Sequence, residues 1–112
     1  MTTPIVRLLT AGVLAAALAC NAAAAADLDA AKKIVTEVCQ ACHAIDGNSP
    51  IAENPKLAGQ TPDYLAKALR DYKSGARKNP VMGAMAANLK PADIENLAAY
   101  FGSQPAVVVS RY

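Results

Sequence analysis

Tryptophan is missing from this sequence, phenylalanine occurs once and tyrosine four times among 112 residues. So few large rings leave a small domain short of the side chains that usually fill an interior, and something other than the polypeptide is expected to complete the core. Histidine also occurs once, as His43, and cysteine three times. That poverty excludes the usual zinc centre, which draws four ligands from two separated pairs. Charge of neither sign dominates, with eleven Lys and Arg against nine Asp and Glu for a formal +2, so no nucleic-acid surface is indicated. Long apolar runs are absent too, except near the N-terminus.

There, a short start carrying Arg7 leads into a mostly apolar stretch from Leu8 to Ala19, and an alanine tract ending Ala24-Ala25-Ala26 precedes Asp27. Residues 1–26 read as a secretory signal peptide. The apolar stretch falls short of the roughly 20 residues that a membrane-spanning helix needs, so an exported protein without a membrane span is expected. Cys20 is read as a small residue removed with the signal rather than as a lipid anchor, because Ala17 stands where the lipoprotein pattern wants leucine. Cleavage after Ala26 would leave 86 residues, a formal charge of +1 and only two cysteines, Cys39 and Cys42.

Beyond the signal the pattern is all-α: three main helices separated by long loops. Leu28, Ala31, Val35 and Val38 recur at helical spacing over about Asp29–Cys42, with Asp27 or Asp29 available as cap. A second helix has Thr61 at its cap, Pro62 in its first turn, Leu65 and Leu69 on one stripe and Gly75 as its stop. A third opens at Pro91, carries Ile94, Leu97, Ala98 and Phe101 on one face, and stops near Gly102. The intervening DGNSPIAENPKLAGQ and SGARKNPVMGAMAANLK read as loops, long enough in so small a domain to be functional. The main domain is placed at residues 27–104, and Pro105–Tyr112 is read as a loosely packed tail.

The first helix delivers Cys39-Gln40-Ala41-Cys42-His43. Two cysteines three apart on a helical turn project from one face, where they can reach the two vinyl groups of one porphyrin, and the adjoining imidazole can approach the iron. This is the attachment spacing of haem c. A thioredoxin-like dithiol would need neighbouring strands, and a structural disulfide across so short a loop has little to stabilise. With His43 as one axial ligand and no second histidine, the other candidates are Met82 and Met85. A thioether opposite an imidazole raises a haem's potential, whereas the ordinary reading of any single methionine is core packing.

Taken with AKKIVTEVCQACH, the DGNSP and PKLAGQ loop and MGAMAANLKPADIENLAAYF, the chain resembles a class I (monohaem) cytochrome c of the small bacterial periplasmic type over residues 29–104. The resemblance implies the cytochrome c fold around one haem c tethered through Cys39 and Cys42. It selects Met82 as second iron ligand, because Leu89 matches the leucine seven residues beyond the family's ligand. It assigns Pro50 the carbonyl that accepts the ring N–H of His43, and Leu57 an apolar contact with the haem. It places Leu97 and Tyr100 where the last helix crosses the first, with Ala31 in place of the usual glycine, and Lys90 where a serine-like cap is common.

Iron held by both His43 and Met82 has no vacant position. The function expected on this resemblance is therefore one-electron transfer between larger redox proteins in the periplasm, with no catalysis by the protein itself. The alternatives are a cytochrome subunit of a periplasmic dehydrogenase, or a haem sensor or peroxidase-like protein with a labile sixth ligand. Arg70, Lys73, Arg77 and Lys78 form a basic cluster that could steer an acidic partner, set against the ordinary reading of solvated surface charge.

Overall fold

The computed structural model describes residues 24–108; the signal reading of residues 1–23, Cys20 included, and the last four residues of the tail lie outside them. Among the described residues five α-helices carry the fold. Helix α1, Leu28–Ile34, starts where the Asp27 carboxylate accepts from the Ala30 N–H at 2.9 Å. It runs without a break through a π-helical turn, Val35–Cys39, into α2, Gln40–His43. The uniform helix expected here is thus interrupted. The Thr36 hydroxyl donates to the Lys32 carbonyl at 2.8 Å, a back-bond of the kind that bends helices, and the Gln40 N–H reaches the Val35 carbonyl five residues back.

Helix α3, Pro62–Ser74, begins and ends as its Thr61-Pro62 and Gly75 signals predict, with Gly75 left-handed at φ 82°. Helix α4, Pro80–Ala86, lies inside what the sequence presents as a loop. Its Asn79 side chain accepts from the N–H groups of Val81 and Met82, both at 3.0 Å, and Pro80 takes the first turn, where no N–H is needed. Seven residues with Gly83 among them show too little periodicity to read as a helix. Helix α5, Pro91–Gly102, is better started than Lys90 suggests, because Asp93 reaches back to accept the Lys90 N–H at 2.8 Å.

Helix α5 packs against both α1 and α3, and α4 packs against α3. Ala31 and Val35 are fully buried and join Leu65, Ala66, Ile94, Leu97, Tyr100 and Phe101 in one core. The small Ala31 admits α5 where a larger side chain would hold it off. The Asn96 side chain accepts the Asp27 N–H at 2.8 Å, fixing the same crossing at its end. The Tyr100 ring meets Phe101 edge-on at 5.3 Å, and its hydroxyl donates to the Ile45 carbonyl at 3.0 Å, so α5 also holds the chain just past the cysteine motif.

That chain turns at Gly47, with φ 74°, whose carbonyl accepts from Leu57 N at 2.8 Å and Ala58 N at 3.2 Å. A β-carbon there would stand 2.8 Å from both the Ala58 nitrogen and the Phe101 ring. Gly47→Ala is therefore expected to cost about 2–4 kcal/mol, combining about 1 kcal/mol or more of left-handed strain with about 1–3 kcal/mol of overpacking. A lowered guanidinium chloride midpoint measures it. Nearby, the Asp46 carboxylate is held below its ordinary value, chiefly by the Asn48 N–H. Asn48 in turn ties the tail, donating to the Pro105 carbonyl at 2.9 Å and accepting the Val107 N–H at 2.8 Å. At least to Val107 the tail is bound down rather than loose.

Candidate functional site

Between α2, α3, α4 and α5 lies a cleft open to solvent, its enclosed and open space together about 810 Å³. Leu65, Ala68, Leu69 and Tyr72 of α3 form one wall, Leu97, Ala98 and Phe101 of α5 the floor, and Pro55 and Leu57 of the loop a further edge. Cys39 enters from the π-helical turn, His43 from α2 directly after it, and Met82 from α4. Local sequence explains each placement. The run from Ala31 through Val35 to Cys39 keeps one face inward, and Asn79 fixes the start of the helix that carries Met82. At the far end of that helix Lys73 donates to the Ala87 carbonyl at 2.7 Å, so both ends of α4 are held by side chains that do not themselves enter the cleft.

His43 is buried, and its Nδ1 lies 2.9 Å from the Pro55 carbonyl. A carbonyl can only accept, so Nδ1 carries the proton and Nε2 is left free with a lone pair. The partner is Pro55, not Pro50. Pro50 is exposed beside Ser49 and Ile51, away from the cleft, because the Ser49 hydroxyl donates to the Cys42 carbonyl at 3.0 Å and turns the chain outward there. The loop returns only at Pro55. A usable signal was present: Pro55 lies two residues before Leu57, and one short segment supplies both contacts.

Ala44, directly after His43, sits at φ 64°, ψ 160°. That region costs a non-glycine residue about 1–3 kcal/mol, and it ends the helix abruptly at the histidine. Burial pushes the Cys39 thiol up to about 11, opposite to the lowered value a dithiol oxidoreductase needs. Cys42 is exposed and stands outside the cleft lining. Met85 is 46% exposed and does not line the cleft, whereas Met82 is half-buried and does. The basic cluster is mostly engaged: Arg70 pairs with Glu95 at 2.6 Å, Lys73 with the Ala87 carbonyl, and Arg77 lies over Tyr72.

Comparison with known proteins adds to this geometry. The family model for cytochrome c matches residues 28–104. The chain belongs to the cytochrome c family. It is 45% identical over 97 residues to cytochrome c4 of Pseudomonas aeruginosa, covering 87% of this chain and 45% of that protein. The crystal structure of reduced recombinant cytochrome c4 from Pseudomonas stutzeri superposes with a TM-score of 0.69 at 43% identity, over 75% of this chain and 48% of the other. The cytochrome subunit of sulfide dehydrogenase from Chlorobaculum tepidum is 38% identical over 71 residues, covering 63% of this chain and 64% of that subunit. This cytochrome thus spans about half the length of the cytochrome c4 relatives it matches. Its helices, with no strand among the described residues, are those of the all-α cytochrome c fold.

The donor set of this cytochrome fits a covalently bound haem c. One free thiol, Cys39, lines the cleft and a second, Cys42, stands three residues on at the surface; an imidazole with its Nε2 unengaged enters the cleft, a thioether lines it, and the remaining walls are apolar enough for a flat hydrophobic ring. No helix of the described residues is long and apolar enough to cross a membrane.

Proposed function

We propose that this cytochrome is a periplasmic one-electron carrier with a single haem c, attached through Cys39 and Cys42 and ligated by His43 and Met82. The observation that carries the reading is that His43 and Met82, from α2 and α4, line the same cleft while Met85 does not. Haem c supplies the one-electron change of its iron. The chain's residues do the rest. Pro55 fixes the His43 tautomer and ring orientation, so the imidazole presents Nε2. Asn79 and Lys73 hold α4, and hence Met82, in place. Leu57, Leu69, Leu97 and Phe101 exclude water, which limits the solvent rearrangement that accompanies a change of charge. Export by the leader over residues 1–26 agrees with covalent attachment, since a tethered cofactor is not lost by dilution.

A second reading, a subunit serving a dehydrogenase, is favoured by the likeness to the sulfide dehydrogenase cytochrome subunit. Co-purification at fixed stoichiometry with a larger redox protein would select it. The carrier reading is tested by the optical spectrum and mass of protein made together with haem-attachment machinery. The expected result is one haem per chain that survives denaturation, a weak near-red ferric band reporting methionine ligation, and little uptake of carbon monoxide by the reduced protein at neutral pH. A colourless product, or rapid carbon monoxide binding, would overturn it.

A further inference from the structure

Four inward residues of the first helical run stand four apart: Ala31 and Val35 in the core, Cys39 half-buried on the cleft wall and His43 buried beside it. An unbroken α-helix would not keep them in line. At 3.6 residues per turn each four-residue step overshoots a full turn by about 40°, so His43 would lie about 120° round the axis from Ala31. The π-helical turn from Val35 to Cys39 is wider and takes up part of that drift.

Widening has a local cost. The Gln40 N–H, which an α-helix would deliver to the Thr36 carbonyl, goes to the Val35 carbonyl instead, and the Thr36 carbonyl loses its usual main-chain partner. The same residue makes good the loss, since the Gln40 side-chain amide reaches back four residues and donates to the Thr36 carbonyl. One turn earlier the helix is already loosened: the Val35 N–H is shared between the Ala31 and Lys32 carbonyls, and the Thr36 hydroxyl donates to Lys32 as well. Gln40 is exposed and lines no part of the cleft, yet it lies between the two cysteines.

We infer that Gln40 is a positioning residue for the haem site: its side-chain amide, by occupying the Thr36 carbonyl, holds the π-helical turn open and keeps Cys39 and His43 on one inward line. The inference rests on the haem c reading above. Its physical basis is a competition between two registers. Without the amide, the Gln40 N–H is drawn back to the Thr36 carbonyl, the turn tightens, and Cys39 and His43 rotate relative to Val35.

The test compares the native holoprotein with Gln40→Met and Gln40→Lys, all made together with haem-attachment machinery. Glutamine, methionine and lysine have similar helix propensities, but only glutamine and lysine carry a side-chain donor of comparable reach. Gln40→Met is expected to speed exchange of the residue-40 amide hydrogen about three- to tenfold. It should also lower the fraction of chains joined to haem through both sulfurs, read by mass after digestion, and shift the haem methyl proton resonances of the ferric protein, which report the orientation of the axial imidazole. Gln40→Lys should restore all three towards native. If Gln40→Met matches the native protein, or if only its amide exchange changes, the amide does no more than cap a surface carbonyl and the inference is overturned. It is equally overturned if both variants lose attachment alike with native amide exchange, since the machinery would then be reading the side chain directly. A native protein without covalent haem would defeat the functional reading instead, so the two failures are distinguishable.

Discussion

Met82→Ala is expected to abolish the near-red ferric band, open the reduced iron to carbon monoxide and lower the midpoint potential, while Met85→Ala leaves all three close to native. Axial ligands set haem potentials over a span of roughly 0.8 V, and loss of a thioether should move this one by a sizeable part of it, on the order of 0.1–0.3 V. The asymmetry follows from position. Met82 is half-buried in the cleft lining with its N–H fixed by Asn79, and Met85 points to solvent at 46% exposure on the same short helix. Optical titration of both variants under carbon monoxide decides between them. A native-like band in Met82→Ala together with its loss in Met85→Ala would reverse the assignment and would require α4 to turn on its axis.

What could be read from the chain beforehand sorts by the range of the interactions involved. Helices α3 and α5 were legible because their signals are local: Thr61-Pro62 and Gly75 bound one, and Pro91 opens the other. The motif at Cys39, Cys42 and His43 was legible for the same reason. Helix α4 had its local signals in Asn79 and Pro80, but at seven residues it owes its existence to packing on α3 and to the Lys73 contact with Ala87, fourteen residues away. The acceptor for His43 depends on where an eleven-residue excursion, from Ala44 to Asn54, brings the chain back. Distance from His43 does not distinguish Pro50 from Pro55; only the closeness of Pro55 to Leu57 favoured it. Likewise the basic cluster around Arg70 loses much of its steering value once Glu95, 25 residues on, is found paired with it at 2.6 Å, since such half-exposed pairs contribute little and neutralise each other. Arg77 was visible as a charge, but its place at the mouth of the cleft came only with the fold.

Removing the haem should have a larger effect than any of these substitutions. The buried apolar residues among those described are eleven, of which five are alanines, leaving Val35, Leu65, Ile94, Leu97, Tyr100 and Phe101 as the substantial side chains. Three of them, Leu65, Leu97 and Phe101, also line the cleft, and without a ring there the half-buried Leu57, Ala68, Leu69 and Tyr72 beside them are left facing open space. Domains of this size seldom supply more than about 3–5 kcal/mol from their own core, and a cleft lined by half the core removes the margin. Cys39→Ala/Cys42→Ala, extracted free of haem, is therefore expected to lose most of its helical circular dichroism at 25 °C and to melt without a sharp transition. Cys42→Ala alone separates loss of the cofactor from loss of packing. Cys42 is exposed and contributes nothing to the core, so a haem still held through Cys39 should preserve the helical signal, with a lower melting temperature. A haem-free double variant that keeps its full helical signal and unfolds cooperatively above room temperature would show that the polypeptide closes its own core, and the case for the ring as its missing centre would fail.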